Sequence, residues 1–388
     1  MLYDYLLLND SFISCIMRII TVLYDQSAYT YRWLKPLFAA KNEFKLYGYK
    51  VEYISFLDYL PLNRILDRAK REMYILNKAM KGHRDIVFMA FHHSTSWIGS
   101  LDKAERIEIV KKIKIHCSKL VWLDTADSTG TCSFEVMPYV DLYLKKQILK
   151  DKSMYLNPIW GGRVFCQYYH DMLHLEDESI TNKKFEPLGK QYLDKLRVSW
   201  NVGVGDLFAT RVQLFLHPYS RVVPKFISPV SGKILDLQYR GSSYSPVAGY
   251  QRQKCLELVM GLNHISHSDA LKRIPKKEYI KEGQRAKAIL SPFGWGEICG
   301  RDFEAFVYGA TMIKPSMDHC VTYPDAYIDN LTYIPIKWDF SDFNEKIDQI
   351  GTAKFKKVAI DAQEFYKKHF SKNFYNEFAK HIVNELER

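Results

Sequence analysis

Residues 85–124, DIVFMAFHHSTSWIGSLDKAERIEIVKKIKIHCSKLVWLD, decide the fold class. The runs at 85–91 and 119–124 are short and continuously apolar, which is typical of strands buried on both faces of a parallel sheet. Residues 102–114 between them have the pattern of an amphipathic helix. A strand, a helix and a strand at this spacing predict a βαβ unit and therefore an α/β protein.

The alternation of strands and helices extends along the chain in two blocks. In the first block we predict a strand or hairpin, a helix and a further strand, at 44–56, 61–80 and 140–146. In the second block we predict strands at 234–241, 286–294, 310–316 and 331–339. The helices predicted there lie at 249–262, 299–309, 341–350, 353–369 and 371–387.

The stretch 150–206 interrupts this alternation with an Asn-Pro pair, a Gly-Gly pair and one helix near 188–197. We interpret it as the end of one domain and the crossing to the next. The prediction is two facing Rossmann-like doubly wound domains, 1–205 and 206–388, with C-terminal helices packing back. Such domains bind ligands at the carboxyl ends of their strands, in the crevice between them.

Composition agrees with a globular protein of this size. The 388 residues are 47% hydrophobic and 26% charged, which excludes a mostly disordered chain. The net charge of +11 favours anionic partners such as phosphates, nucleotides, acidic glycans, nucleic acid or lipid surfaces, without choosing among them.

The cysteines and the apolar runs of the sequence indicate the cellular compartment and whether the chain spans a membrane. The seven cysteines include no CxxC pair, so we predict reduced thiols in a cytoplasmic protein. No signal peptide is evident, and the apolar run from Phe12 to Leu23 is shorter than the roughly 20 residues of a membrane span. We predict a buried amphipathic helix there, with a helix on a membrane surface as the alternative.

The segment SPFGWGEICGRDFEAFVYGATMIKP at 291–315 is the most informative for function. It predicts a strand end, a glycine-rich bend around Gly296 and the start of a helix, which together favour close approach of an anion. Arg301 in the first turn is placed to face a phosphate, and Glu304 to accept hydrogen bonds from ribose hydroxyls. An ordinary helix start with solvated charges is the alternative.

This segment resembles the signature region of GT-B glycosyltransferases of the group-1 type, which includes polysaccharide-assembly and spore-maturation enzymes. The resemblance rests on Gly296-Glu297, Arg301, Phe303-Glu304-Ala305 and Gly309, and covers roughly 285–345. It implies a nucleotide-sugar donor in the C-terminal domain and an acceptor in the N-terminal domain. Glu304 matches the ribose-binding acid of the family. Glu297, seven positions earlier, is one position closer than the glutamate of many retaining members that lies near the donor sugar. The resemblance makes Glu297 a catalytic candidate, of a retaining transfer.

Two further segments contain residues that are candidates for binding the nucleotide-sugar donor. Arg240 and Gly241 lie in a loop between a predicted strand and helix, where they are placed to contact the diphosphate; a polar surface loop is the alternative. Lys314 ends a predicted strand and is a candidate for a phosphate or carboxylate. There is no GxGxxG and no Walker A motif, which argues against dinucleotide binding and ATP hydrolysis.

The candidate catalytic groups of the first domain are His93 and Asp127, because transfer to a hydroxyl requires a group that takes up its proton. A hydrogen-bonded structural histidine and a helix-capping aspartate are the alternatives. Asp318-His319 has no third ligand at useful spacing, and no Asp-x-Asp follows a strand. We therefore predict metal-independent transfer and no cofactor besides the nucleotide-sugar co-substrate.

The favoured function is transfer of a sugar to a hydroxyl of a cell-surface glycan or glycolipid, by a cytoplasmic enzyme with peripheral contact to the membrane. The glycan part rests on the resemblance alone. Two other classes stay open: a nucleic-acid-binding protein or DNA-modifying glucosyltransferase, and a non-catalytic glycan-binding module. No nucleic-acid recognition motif is present, and Glu297, Arg301 and Glu304 argue mildly against the module.

Overall fold

The computed structural model describes residues 17–54, 67–181, 185–242 and 245–388, apart from the side chains of Thr181 and Phe215. The strands of this part of the chain are β1 Arg18–Tyr24, β2 Tyr49–Tyr53, β3 Arg84–Ala90, β4 Cys117–Asp124, β5 Leu142–Lys145, β6 Gln147–Leu149, β7 Leu196–Val198, β8 Leu235–Gln238, β9 Ala286–Leu290, β10 Thr311–Pro315, β11 Cys320–Thr322 and β12 Ile334–Ile336.

The helices of the described residues are α1 Ala28–Ala39, α2 Lys41–Leu46, α3 Arg68–Ala79, α4 Trp97–Ser100, α5 Lys103–Ile115, α6 Val164–Leu173, α7 Glu178–Thr181, α8 Arg211–Leu216, α9 Tyr250–Met260, α10 Lys276–Arg285, α11 Gly300–Tyr308, α12 Phe343–Ile347, α13 Ala353–Lys368 and α14 Lys372–Glu387.

The first sheet has six parallel strands in the order β2-β1-β3-β4-β5-β7. Its central strands β3 and β4 are the apolar runs predicted at 85–91 and 119–124, and both are buried along most of their length. Helix α5 between them confirms the predicted βαβ unit, and Asp102 and Glu105 form a capping box at its start.

The predicted helix from Phe12 to Leu23 is wrong where the structure describes it. Residues 18–24 form β1, which pairs with β2 on one side and β3 on the other, at the inside of the sheet. The consecutive β-branched residues Ile19, Ile20, Thr21 and Val22 favour a strand, because their side chains are restricted in a helix. Residues 12–16 lie outside the described part of the chain.

Other predictions for the first block are corrected in detail. The stretch 44–56 forms the end of α2 and then β2, and its last two residues lie outside the described residues. The helix predicted at 61–80 is α3, which is described from Arg68. The helix predicted near 188–197 is a 3-10 turn at Lys190–Lys195 followed by β7, which completes the edge of the sheet beside β5.

The second sheet has four parallel strands in the order β12-β10-β9-β8. They are the four strands predicted in the second block, each shorter than predicted. Helices α9, α11, α12, α13 and α14 likewise confirm their predictions. The molecule thus contains two parallel α/β sheets, as predicted.

Two features join the halves. Strands β6 and β11 pair antiparallel, so that the segment following β5 of the first sheet bonds to the segment following β10 of the second sheet. Helix α14 returns to the first sheet, where its Phe378 and Ile382 belong to the same buried cluster as Phe88 of β3. This confirms that a C-terminal helix packs back.

The buried hydrophobic clusters combine residues from both sides of the predicted domain boundary at position 205. Phe165 and Tyr169 of α6 share a cluster with Phe306 of the second half, whereas Ala209 and Leu214 pack with the first sheet. The domain boundary between 205 and 206 stays a prediction.

Candidate functional site

The loops that follow the strands of the two sheets meet each other. Gly296 lies in the bend after β9, and a Cβ atom at this position would lie 1.7 Å from the backbone oxygen of Asp127 in the loop after β4. Only a residue without a side chain permits this approach. The bend predicted to hold a ligand is therefore packed against the first half at this point.

Glu297 ties the same two loops together. Its carboxylate is fully buried and accepts hydrogen bonds from the Thr129 backbone N–H at 3.0 Å, the Thr129 hydroxyl at 2.7 Å and the Ser128 hydroxyl at 3.2 Å. Burial alone would raise the pKa of Glu297, but the nearby His319 ring and the Thr129 hydroxyl lower it to about 2. The structure thus places an ionised Glu297 at the contact between the halves.

Arg301 and Glu304 lie on the first turns of α11, as predicted. The Nη1 atom of Arg301 is buried and has no hydrogen-bond partner among the described residues. Glu304 is half-buried, and its Oε2 atom accepts a hydrogen bond of 2.7 Å from the hydroxyl of Tyr279 on α10. Burial and the Glu304 carboxylate raise the pKa of Tyr279, so this phenol stays protonated and donates.

Arg240 is placed differently from its prediction. Its Nε and Nη2 atoms donate to Glu282 at 2.8 and 2.6 Å, and its Nη1 atom donates to the Asp269 backbone oxygen at 2.8 Å. The guanidinium is thus held by its own chain, and a diphosphate contact would have to compete with these bonds. Gly241 beside it lies close to the ring of Tyr239, where a Cβ atom would lie 2.4 Å from the hydroxyl.

Lys314 is enclosed within the second half. Its ammonium is completely buried and contacts the Asp302 carboxylate and the Ser291 backbone oxygen, at 3.2 and 3.3 Å. The predicted phosphate contact does not fit this position, because the ammonium is enclosed behind the start of α11.

Asp127 and His93 lie at the carboxyl ends of β4 and β3, as expected for a parallel sheet. Asp127 accepts hydrogen bonds from Lys146 at 2.9 Å and from the Tyr29 hydroxyl at 3.3 Å. Burial would raise the pKa of Asp127, but Lys146 holds it well below its usual range. His93 stacks on His92, with ring centroids 4.6 Å apart, and the His92 ring contacts Tyr29.

His93 borders a cavity of about 340 Å³ in the first half. The cavity lies beside the ends of β3 and β4, next to α4 and the start of α5. Burial lowers the pKa of His93 to about 4, and its Nδ1 atom is buried with no partner among the described residues. The ring is therefore neutral near pH 7.

Asp124 is a structural carboxylate. Its Oδ2 atom is bonded to the Tyr143 hydroxyl at 2.6 Å and to the buried ammonium of Lys145 at 2.9 Å. These contacts bind the ends of β4 and β5 together and leave Asp124 no catalytic role that the geometry supports.

Three features of the described part of the chain concern metal ions, membranes and thiols. No cluster of three or more His, Cys, Asp or Glu side chains there is arranged to hold a metal ion. No helix described has the length and apolarity needed to cross a membrane. The cysteines described are free thiols. Metal independence and the absence of a further cofactor stay predictions.

Sequence reasoning missed Tyr279, Tyr29 and the pairing of Lys146 with Asp127. Tyr279 belongs to α10, a helix not predicted, and lies 25 positions from the carboxylate it orients. Helix α1, which carries Tyr29, was not predicted either, although Ser27 is a recognisable N-cap. The Ser27 N-cap could therefore have predicted helix α1. Contacts between residues far apart in the chain, such as Tyr279 with Glu304, leave no signal in local sequence patterns.

No family model and no curated protein matches the chain. Among solved structures, HepE of Anabaena in complex with UDP-glucose is 10% identical, with 95% of this chain and 99% of that chain covered and a TM-score of 0.45. An alpha-glucosyltransferase in complex with UDP is 12% identical, with coverage of 95% and 100% and a TM-score of 0.46. An alpha1,3-fucosyltransferase with GDP is 12% identical, with coverage of 96% and 92% and a TM-score of 0.39. Because the identities and TM-scores are low, the bound nucleotides are facts about those proteins only.

Proposed function

We propose that this protein is a glycosyltransferase that moves a sugar from a nucleoside-diphosphate sugar to a hydroxyl group. The observation that carries the proposal is that the Nη1 atom of Arg301, at the start of α11 and one helical turn before Glu304, is buried and has no hydrogen-bond partner in the described part of the chain.

A buried guanidinium with a free N–H is costly unless a ligand completes its hydrogen bonds. Arg301 lies in the first turn of α11, where the backbone N–H groups and the helix dipole also favour negative charge. A diphosphate satisfies both features. Arginine is suited to it because the planar guanidinium binds phosphate oxygens through two parallel hydrogen bonds.

Glu304 would bind the ribose of the same nucleotide. Tyr279 holds one carboxylate oxygen, which fixes the side chain, and the carboxylate can accept hydrogen bonds from vicinal hydroxyls. An anion-binding guanidinium and a hydroxyl-binding carboxylate on one face of one helix match the two polar parts of a nucleoside diphosphate.

In the proposed reaction the acceptor oxygen forms a bond to C1 of the donor sugar as the bond from C1 to the phosphate oxygen breaks. The electron pair of that bond leaves with the nucleoside diphosphate, whose charge Arg301 and the α11 N-terminus stabilise. The acceptor proton passes to a base of the first half, for which His93 and Asp127 are the candidates. Glu297 contributes by holding the two halves together.

The finer parts of the proposal rest on the sequence resemblance. They are a glycan or glycolipid acceptor and a peripheral position at the inner membrane surface. Transfer without a metal ion is proposed because the sequence has no Asp-x-Asp motif after a strand. The net charge of +11 is compatible with an anionic surface.

A nucleotide panel tests the proposal directly. Thermal and chemical unfolding are measured with UDP, GDP and CMP for the wild type, Arg301→Ala and Glu304→Ala. A nucleotide at a hundredfold excess over its Kd is expected to stabilise the wild type by about 2.7 kcal/mol and both variants by much less.

Arg273→Ala and Glu364→Ala are the matched controls, because both residues are exposed on the second half. They should keep the full stabilisation. The proposal fails if no nucleotide stabilises the wild type, or if Arg301→Ala and Glu304→Ala respond like their controls while folded.

One observation favours transfer to DNA as a second candidate. The lining of a groove of about 480 Å³ at the edge strand β2 includes four lysines and one carboxylate, Lys41, Lys45, Lys50, Lys78 and Glu52. Lysines along a groove suit a phosphate backbone. The DNA oligonucleotide in the vesicle experiment below tests this candidate.

A further inference from the structure

We propose that residues 269–281, a loop and the first turns of α10, form a surface that docks on a bilayer containing anionic lipids. We call this stretch the basic face. The proposed function includes a membrane contact but assigns it to no part of the chain. The inference rests on that function only for the consequence of docking, because the charge, exposure and anchoring of the basic face do not depend on any activity.

The basic face carries exposed cations that the fold leaves unpaired. Asp269 and Glu278 are its exposed acids, and Glu282 beyond it is paired with Arg240. Five exposed cations lie within ten positions, and none has an ion pair among the described residues: Lys272, Arg273, Lys276, Lys277 and Lys281. The start of α10 adds the positive end of a helix dipole. Positive charge therefore exceeds negative charge, which favours an anionic partner.

An exposed apolar side chain lies among these cations. Leu271 is 68% exposed and is followed directly by Lys272 and Arg273. This combination suits the interface of a bilayer, where an apolar side chain reaches the acyl boundary while the cations stay with the headgroups. Surfaces that bind nucleic acid use aromatic rings for stacking, and Tyr279, the aromatic residue of the basic face, is already bonded to Glu304. A lipid surface is therefore the partner that the side chains favour.

The loop is held firmly by the fold. The Nη1 atom of Arg240 donates to the backbone oxygen of Asp269 at 2.8 Å and also to that of Lys272. The same guanidinium pairs with Glu282 of α10, and Ala270 packs against a buried cluster of the second half. A loop that is fixed before binding loses little conformational entropy when it docks.

The basic face lies at the carboxyl end of the second sheet. Residues 266–268 bond alongside β8 in the same direction and end beside Tyr239, so the loop begins where β8 ends. Helix α10 then runs directly into the start of β9, which places its first turns at the same end of the sheet. The bend around Gly296 also follows the carboxyl end of a strand, and Tyr279 joins α10 to Glu304 of α11. Docking would thus turn the end of the sheet that carries the proposed donor site toward the bilayer, where a lipid-linked acceptor lies.

Co-sedimentation of the full chain with vesicles tests the inference. One set of vesicles contains equal parts of phosphatidylcholine and phosphatidylglycerol, and the other contains phosphatidylcholine alone. We expect binding to the anionic vesicles that weakens as the salt concentration rises, and much weaker binding to the neutral vesicles. A DNA duplex oligonucleotide is the competing probe.

Two variants of the basic face separate charge from insertion. Lys276→Ala with Lys277→Ala should weaken binding to anionic vesicles about fivefold for each cation removed, the equivalent of about 1 kcal/mol. Leu271→Ser leaves the charge unchanged and should weaken binding about threefold to tenfold, because less apolar surface leaves water on docking. All three residues are exposed, so both variants are expected to fold.

The matched controls lie at the opposite end of the second sheet. Lys354→Ala with Lys356→Ala removes the same charge from the first turn of α13, whose Phe355 backbone oxygen is bonded to Thr311 at the amino end of β10. Val230→Ser removes an apolar side chain that is 66% exposed and that lines the same small pocket as Thr311. Both controls should bind vesicles like the wild type.

The inference is overturned if the wild type does not bind anionic vesicles in preference to neutral ones, or if both variants of the basic face bind like their controls. It also fails if vesicle binding is lost in Lys45→Ala with Lys50→Ala, in the groove at β2, and not in Lys276→Ala with Lys277→Ala. Preference for the oligonucleotide over anionic vesicles would overturn it as well and would favour the DNA candidate.

Nucleotide stabilisation of the same samples, measured without vesicles, separates this inference from the proposed function. Vesicle binding without any nucleotide effect would remove the transferase proposal and leave the docking surface. A nucleotide effect without vesicle binding would do the reverse.

Discussion

Three basic side chains around the loops of the second half differ in what surrounds them. Arg240 is held by Glu282 and Lys314 by Asp302, whereas the Nη1 atom of Arg301 has no partner among the described residues. A buried cation that is already paired stabilises the fold locally and binds no further anion without losing its partner. The unpaired one is the group from which binding of a phosphate is expected, and for this reason the proposed donor site centres on Arg301.

Buried neutral histidines make the stability depend on pH. Burial and the nearby Arg221 lower the pKa of His369 to about 3, from the usual 6.5 of the unfolded chain. Between these values the unfolded state binds more protons than the folded state, so the free energy of unfolding falls as the pH drops from about 6.5 toward 3. We expect His369→Gln to reduce this dependence.

The measurement is urea unfolding at several pH values from neutral downward. His264→Gln is the control, since His264 is exposed on the surface and pairs with Asp348. The slopes of the wild type and His369→Gln must differ in the acid range; identical slopes would contradict the buried neutral ring.

The bend between β9 and α11 brings two distant loops together because two of its residues are suited to contact. Gly296 allows the backbone to approach Asp127, and Glu297 adds hydrogen bonds to Ser128 and Thr129. Arg163 donates to the Trp295 backbone oxygen at 2.7 Å and so holds the bend from the other side. The bend is thus positioned by the first half as much as by its own strand.

Gly296→Ala is expected to destabilise the protein by about 1–3 kcal/mol, because the new methyl group overlaps the Asp127 backbone. Gly300→Ala at the start of α11 is the matched substitution, since a Cβ atom there meets no heavy atom within 4 Å. Chemical unfolding of both variants measures the difference. Equal stability of the two would show that the bend is not packed against Asp127 in solution.

The two halves depend on each other through chain crossings. The chain passes between the halves near Gly203 and again near His369. The guanidinium of Arg221 donates to the backbone oxygen of His369 at 2.6 Å and to that of Gly203 at 3.3 Å, so it links these two passages. Beyond His369 the chain returns as α14 to the core of the first sheet. The first sheet therefore needs the last residues of the chain to complete its core.

Phe378→Ala should lower the free energy of unfolding by about 3–5 kcal/mol, because Phe378 is fully buried against Trp200 and Phe44. Lys380→Ala lies on the exposed side of the same helix and should change it by less than about 0.5 kcal/mol. Tryptophan fluorescence during urea unfolding follows the first half through Trp200. A small effect of Phe378→Ala would mean that α14 does not belong to this core.

Much of the fold could be predicted from local patterns. Strands β3 and β4 are continuous apolar runs with turn signals at their ends, β9 and β10 are short apolar runs that each contain one lysine, and helices α5 and α13 have N-caps at their starts. The first strand was missed because its apolar run also fits a buried helix, and only pairing with β2 and β3 selects the strand. The short strands β6 and β11 have too few residues to show a pattern.

The sequence by itself determined which residues carry charge, where the glycines permit a close approach, and that parallel strands end in polar loops. Arg301 and Glu304 one turn apart on a helix follow from their spacing alone. The tertiary structure decided which charges are paired: it joined Arg240 to Glu282, Lys314 to Asp302 and Glu297 to Thr129, and left Arg301 and His93 with unpartnered nitrogens among the described residues. The reason is physical: spacing along the chain sets local geometry, whereas the binding capacity of a polar atom depends on neighbours that only folding brings within hydrogen-bond distance.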